Sequence, residues 1–575
     1  LKGIVYMENC ENAVISEEYA DLIIRSGSNI EAERYCRLGI IPRWDIYYIP
    51  LSYIGELTFE NIGYVTIPDL YVPSDLNVAN ETGISSTFLQ PALNLTGKGV
   101  IIGIIDSGID YGHRAFTGNN DKTRIISIWD QTVESDKRPS GFFYGTEYTR
   151  TEIDEAMLSE NPHDIVKTTD ESGHGTFLTG IAAGRYDINN NFTGMAPDAE
   201  IVFVKLKPAK TIMKEVFAVS QDKVAYEESD IMAGLRYIND VADREKKPVV
   251  ILLGMGTSQG SHRGNSPLAD SLNYYAGRVG RILVTSAGNE CNRGRHFLGK
   301  IGEEEYEIVE LRVGNNESGF TMELWSGQTE YLTISVTSPS GEEISRIPIR
   351  RQYSEVYTFV FENTTVYIYN SVIENASGAE LILLRFTRPT AGIWTIRVYG
   401  RLNDEYNIWL PAGELISNDT YFLNSNPDIT VTEAGNAAEI ITVGAYDYRD
   451  GGVFVNSGRG YALNGTVKPD IVAPGVNVLG PKSADTLSEG AKADNRNQYI
   501  YMTGTSVAAA VTAGGASLIT QWEERQANSY FVDTRGIKSL IIRGAKRDSN
   551  YVYPNRIQGY GKLDILGVFE YLKGK

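Results

Sequence analysis

Four side chains in this sequence could together carry out acyl transfer: Asp106, His174, Asn289 and Ser506. A serine hydroxyl is a weak nucleophile until a base takes its proton, and a histidine that is neutral near pH 7 suits that task. A carboxylate that fixes the imidazole tautomer completes the set. The tetrahedral oxyanion then formed needs donors, which an asparagine amide and a backbone N–H can supply. Ser506 lies in Thr503-Gly504-Thr505-Ser506-Val507-Ala508-Ala509-Ala510, ahead of a small-residue run to Ile519 that reads as a buried helix. The serine therefore falls at a helix N-terminus, where unpaired N–H groups favour negative charge. Singly, each residue has an ordinary structural use: Ser506 as a helix cap, Asp106 and Asn289 as turn residues, His174 as a hydrogen-bonded core histidine. Their joint occurrence points to chemistry.

The surrounding pattern supplies the elements that must position them. Gly99 to Ile105 is a continuous apolar strand that ends at Asp106-Ser107-Gly108. Further apolar strands are expected at Ile201–Leu206, Val249–Leu253, Arg281–Thr285 and Ile440–Val443, with helices at Gly175–Ala183, Asp230–Arg244 and Ser266–Val279. Strands apolar on both faces that alternate with helices imply a parallel sheet covered on both sides. Ligands in such α/β folds bind beyond the carboxyl ends of the strands, where Asp106 and Asn289 both fall.

Two segments break that alternation. Residues 297–430 hold short strand-like runs separated by turn signals such as Gly314-Asn315-Asn316, the pattern of an inserted all-β sandwich. The α/β domain is then discontinuous, 81–296 and 431–575. Residues 1–80 read as a small α+β domain, with helical character at Glu17–Arg25 and Asn29–Leu38 and strands at Trp44–Leu51 and Asn61–Ile67. The proline-flanked stretch from Pro68 to Ser74 and the polar Asn77–Thr82 end it.

Net charge is -20 over 575 residues, which disfavours nucleic acid and anionic membrane surfaces as partners. No apolar run reaches the ~18 residues of a membrane span, and no secretory signal is read at the N-terminus, so synthesis in the cytoplasm is expected. The three cysteines, Cys10, Cys36 and Cys291, show no metal-ligand spacing, and no disulfide framework is read from them. No metal site or cofactor is expected.

At this point the chain resembles a known family. Asp-Ser-Gly at 106–108, Gly-His-Gly-Thr at 173–176, Ser-Ala-Gly-Asn at 286–289 and Gly-Thr-Ser-Val-Ala at 504–508 stand in the order found in subtilases, the S8 serine peptidases. Gln90-Pro91-Ala92-Leu93 resembles the mature subtilisin N-terminus, and Lys468-Pro469-Asp470 to Gly475 a structural wall segment. The resemblance implies a serine endopeptidase acting on proteins or peptides, as a monomer. It assigns nucleophile, base and orienting acid to Ser506, His174 and Asp106, and the oxyanion donor to Asn289. It places Gly254, Met255 and Gly256 on the substrate strand and Glu290 at the rim of the specificity pocket. Glu227 and Glu228 fall near the substrate edge, either as specificity groups or as solvated charge. Ala510, Phe177 and Gly254 depart from the proline, histidine and serine often found there.

The N-terminal domain, the insertion and Tyr226-Glu227-Glu228-Ser229-Asp230 resemble the clostridial Csp germination proteases. That resemblance implies a jelly-roll insertion and a prodomain that cuts itself off between Tyr71 and Thr82 yet stays bound, through Trp44, Ile46, Tyr47 and Ile49. It further implies a spore-associated role in activating a cortex hydrolase proenzyme. A general or host-peptide-cleaving endopeptidase and a catalytically silent germinant sensor are the alternatives.

Overall fold

The computed structural model describes residues 10–28, 34–73, 77–78, 95–118, 121–486, 497–527 and 532–573. Its centre is an eight-stranded sheet in the order Ile471–Pro474, Ile441–Tyr446, Arg281–Ser286, Val249–Leu253, Ile101–Asp106, Glu200–Lys205, Ile125–Asp130, Thr146–Thr149. All neighbours are parallel except the last pair. Every residue of Ile101–Asp106, Val249–Leu253 and Arg281–Ser286 is buried, as two covered faces require.

One face of this sheet carries the helices His174–Ala183 and Thr505–Ala527, with an apolar layer that includes Ile102, Ile104, Leu252, Phe177, Leu178, Val507 and Val511. The serine helix can lie close because its facing residues are small. A Cβ on Gly514 would come within 2.7 Å of the Ala182 carbonyl. The other face carries Glu228–Glu245 and Pro267–Ala276.

The insertion is a two-sheet antiparallel sandwich. Six strands run in the order His296–Lys300, Glu405–Trp409, Gly319–Ser326, Leu381–Thr387, Thr364–Ser371, Gln352–Phe359, and five in the order Glu343–Ile344, Thr333–Thr337, Gly392–Tyr399, Tyr306–Val313, Tyr421–Phe422. Its root is a three-ring stack: Trp409 lies on His262 of the α/β domain at 3.9 Å and on His296 at 5.0 Å.

The N-terminal domain differs from the sequence expectation. Tyr19–Arg25 and Cys36–Ile41 are strands, not helices, and flank Trp44–Pro50 in an antiparallel sheet. Residues 29–33 of the second expected helix lie outside the described residues. Asn61–Ile67 is not a strand either; Phe59–Ile62 and Tyr64–Thr66 are single helical turns. Tertiary packing overrode the helical spacing of the first two segments and the strand propensity of the third. Cys10 and Cys36 form a disulfide, where none was read from the sequence; Cys291 is free and buried. The two cysteines are 26 residues apart, Cys10 in the helical turn Cys10–Ala13 and Cys36 at the start of a strand, so only tertiary packing brings them together.

Both faces of Trp44–Pro50 are buried. Trp44, Ile46 and Tyr48 pack with the α/β domain, while Tyr47 and Ile49 join a second cluster shared with Trp325, Tyr369 and Leu383 of the insertion. The domain is thus wedged between core and insertion. Phe59 lies 5.5 Å from Phe217 and 5.9 Å from Tyr369.

Candidate active site

The strand ending at Asp106 and the helix starting at His174 bring acid and base together. His174 Nδ1 lies 2.7 Å from Asp106 Oδ1, and Nε2 lies 3.3 Å from Ser506 Oγ. All three residues are buried. The same Asp106 oxygen accepts the Ser107 N–H at 2.8 Å, which fixes the side chain facing the ring. This closeness depends on Gly175: a Cβ there would meet the Gly108 carbonyl at 2.1 Å and the Phe203 ring at 2.7 Å.

Ser506 is the second residue of Thr505–Ala527, so its backbone N–H lies in the first turn of that helix, at the positive end of the dipole. Thr505 fixes the neighbouring amide: its N–H and hydroxyl donate to Asn289 Oδ1 at 3.1 and 3.0 Å. With the oxygen held by two donors, the Asn289 NH2 is the side able to donate to an oxyanion. These groups can deliver a hydroxyl to a carbonyl and stabilise the anion that follows.

Sequence reasoning passed over Asp170. Its Oδ1 accepts from Ser107 Oγ at 3.2 Å, Ser172 Oγ at 3.2 Å and Gly173 N–H at 3.0 Å; Oδ2 accepts from the Thr176 N–H at 2.8 Å and its hydroxyl at 2.6 Å. One carboxylate therefore ties the turn after Asp106 to the first turn of the histidine helix. Burial raises its pKa to about 6 despite these donors, with the Asp106 charge adding to the rise. The acidic residue in Asp170-Glu171-Ser172-Gly173 was visible, but its partners were not.

The predicted substrate strand is a backbone template. Gly256 pairs with Val72 and Met255 with Pro73, both from the N-terminal domain, while the Met255 side chain is fully buried. On the other side of the same strand, Tyr226 pairs with Tyr71 and Glu227 with Leu70. Leu70–Pro73 thus lies antiparallel between two edge strands of the α/β domain, and Asn77–Val78 pairs with Thr503 and Met502 beside the serine. Gly254 sits behind the catalytic pair; a Cβ there would lie 3.0 Å from Asp106 Oδ2 and 3.1 Å from His174 Cε1. Residues 74–76 and the Gln90–Leu93 segment lie outside the described residues.

Three acidic assignments need correction. Glu290 is not an open rim: it is buried, accepts from Arg295 at 3.2 Å and from the Gly413 N–H at 3.1 Å, and so clamps the insertion. Glu227 and Glu228 are not solvated charge, being 0% and 1% exposed. Asp21, Glu227 and Asp230 gather three carboxylates, and the Lys207 ammonium stands among them, 3.5, 3.9 and 2.7 Å away. Lys468, from the wall segment, is buried and donates to Asp470 at 3.0 Å and Thr442 Oγ1 at 2.9 Å, joining two strands of the sheet.

The Peptidase_S8 pattern, described as the subtilase family, matches residues 97–335 and 416–561, more than half of the sequence. The chain belongs to the subtilase family. Among curated relatives, this subtilase is 23% identical to the PII-type proteinase of Lacticaseibacillus paracasei, over 88% of this chain and 28% of that protein. It is 21% identical to the C5a peptidase of Streptococcus pyogenes, over 87% of this chain and 41% of that one. The chain thus spans less than half the length of these relatives. The structure of the CspB protease of Clostridium perfringens aligns at a TM-score of 0.73 and 28% identity, covering 84% of this subtilase and 94% of that chain. The fold is the subtilisin-like α/β fold with added antiparallel sheets.

Proposed function

We propose that this subtilase is a serine endopeptidase that cuts its own chain once and keeps the N-terminal fragment as an inhibitor. The observation that carries the reading is the course of Leu70–Pro73: it runs between Tyr226–Glu227 and Met255–Gly256 as a substrate would, and Asn77–Val78 pairs on the far side of the serine. Those flanking pairs favour a scissile bond between Pro73 and Asn77, inside the expected range from Tyr71 to Thr82. Ser506 attacks its carbonyl, His174 takes the proton and returns it to the leaving amine, Asp106 stabilises the imidazolium, and Asn289 with the Ser506 N–H receives the oxyanion.

Retention is supported by the wedge. Lys210 donates to the Ala13 and Tyr19 carbonyls at 3.1 Å, Trp44 Nε1 donates to Asp270 at 3.0 Å, and Tyr64 donates to Glu323 of the insertion at 2.9 Å. Cutting one bond leaves all of these in place. The likeness to the CspB protease favours a spore-associated germination role, in which the substrate is the proenzyme of a cortex hydrolase. The C5a peptidase and the PII-type proteinase favour a second reading, cleavage of host or nutrient peptides. A silent sensor is disfavoured by the complete triad.

Purified wild-type protein should show two bands on a denaturing gel and one peak in gel filtration, and Ser506→Ala one uncut band. A fluorophosphonate probe should label the core band after the fragment is stripped. A wild-type chain that stays whole and unlabelled overturns the peptidase reading. A profile on cortex hydrolase proenzyme against casein separates the two substrate classes.

A further inference from the structure

Where the N-terminal domain, the α/β core and the insertion meet, four carboxylates are buried together. Asp69 comes from the N-terminal domain, Glu228 and Glu433 from the core, and Glu323 from the insertion; none is more than 4% exposed. The groups facing them are Tyr64, whose hydroxyl lies 3.4 Å from Asp69 and 2.9 Å from Glu323, the Trp325 Nε1–H, 3.0 Å from Glu323, and the buried Glu374. Backbone N–H groups of Leu268, Gly260 and His262 donate to Glu228, Glu323 and Glu433. Arg263, in the same loop, donates instead to the Ser326 carbonyl at 3.5 Å. The His262 ring is bound to the Val431 and Ser258 carbonyls, and burial keeps it neutral, with its pKa lowered to about 3.

No lysine or arginine pairs with any of the four among the described residues. The contrast with the adjacent cluster is direct: Glu227 shares its pocket with Lys207, whereas Glu228, one residue on, has no cation. Glu433 Oε1 is buried without a hydrogen-bond partner. It lines a cavity of about 20 Å³ together with Asp69, Glu228 and Ser261, room for a single water. Asp69 directly precedes Leu70, the first residue of the strand that fills the cleft.

We propose that this junction is a proton-linked latch, which holds the inhibitory strand in the cleft while the carboxylates are protonated and lets it go as they ionise. The inference rests on the reading that the cut fragment stays seated. Burial raises Glu228 and Glu323 to about 7 and Glu433 to about 8, and it holds Asp69 well above the usual carboxylate range, with Glu228 the next cause. Groups raised in the docked state take up protons on docking. Docking is therefore favoured at low pH and lost as pH rises through about 7 to 8. The neighbouring Glu227, raised to about 7, acts in the same direction. Tyr64 and Tyr71 are held well above their ordinary value by burial and stay neutral throughout.

Two measurements decide it. The self-cut wild-type complex, with its core immobilised, should lose the N-terminal fragment at least ~10-fold faster at pH 8.5 than at pH 6.0, since each proton taken up is worth about tenfold per pH unit. The uncut Ser506→Ala chain should melt several degrees lower at pH 8.5 than at pH 6.0, and Asp69→Asn or Glu433→Gln in that background should flatten the difference. The second measurement needs no cleavage, so it separates failure of the latch from failure of self-processing. Equal release at both pH values, or variants with an unchanged pH response, overturns the latch. So does a pH difference that 5 mM calcium erases, because the carboxylates would then be holding a cation in place of protons.

Discussion

The catalytic edge and the three-way junction both bury carboxylates, and they do so by opposite means. At the edge, Asp106 faces a histidine and Asp170 accepts from five donors, all within a few residues of a glycine that lets two backbones touch. At the junction, Asp69, Glu228, Glu323 and Glu433 come from three separate parts of the chain and are buried with no lysine or arginine paired to them among the described residues. The edge is built to fix atoms in one geometry. The junction is built to join and part. Substitutions at the edge should therefore move turnover and leave docking alone, while substitutions at the junction and the clamp should move stability and leave turnover alone.

The largest effect tests the edge. Ser506→Ala should abolish both self-cleavage and peptide hydrolysis and leave the fold intact, because one buried oxygen is removed. Asn289→Ala should lower kcat by about 100-fold or more at constant KM, the size seen when this donor is removed in a subtilisin. A rise in KM with kcat unchanged would place Asn289 in substrate binding and blur the division.

The clamp gives the next effect. Arg295 is buried and holds Glu290, the Pro411 carbonyl at 3.2 Å and Asn418 at 2.9 Å. Arg295→Met strands Glu290 as an unpaired buried charge, at a cost of about 3–5 kcal/mol. A large fall in melting temperature is expected, with kcat on a short peptide within about twofold of wild type. A matching collapse of kcat would show that the clamp also shapes the catalytic edge.

This division also explains what could be read from the sequence. The edge was legible because its geometry depends on backbone contact that only certain residues allow, and such dependence leaves short motifs: Gly108 after Asp106 and Gly175 beside His174. The parallel strands were legible because two buried faces demand unbroken apolar runs. The N-terminal strands were not, since Tyr19–Arg25 and Cys36–Ile41 gain their partner only by pairing with Trp44–Pro50. The Cys10–Cys36 disulfide was hidden for a like reason, since it joins a helical turn to a strand 26 residues away. Glu290 looked like a specificity group because it follows Asn289, and nothing nearby in sequence announces that Gly413 will cover it.

The smallest effect concerns Asp170, which touches no reacting atom and acts only by positioning His174. Asp170→Asn keeps the volume but gives up one acceptor, so either the Gly173 and Ser107 side or the Thr176 side loses its partner. Turnover should fall by about tenfold, with KM unchanged, because the imidazole drifts from Ser506 and the bound peptide does not. The pH dependence distinguishes this from a general loss of packing. The Asp170 pKa is raised to about 6 in the fold by burial, so its protonated form stabilises wild type at low pH and that stability is lost as pH rises through about 6. Asparagine lacks the term. The melting-temperature deficit of Asp170→Asn should therefore shrink between pH 4 and pH 7, as read by calorimetry in the Ser506→Ala background. A deficit that stays constant over that range would mean that the carboxylate does not titrate there, and would reduce Asp170 to one more hydrogen-bond acceptor in the wall behind the histidine.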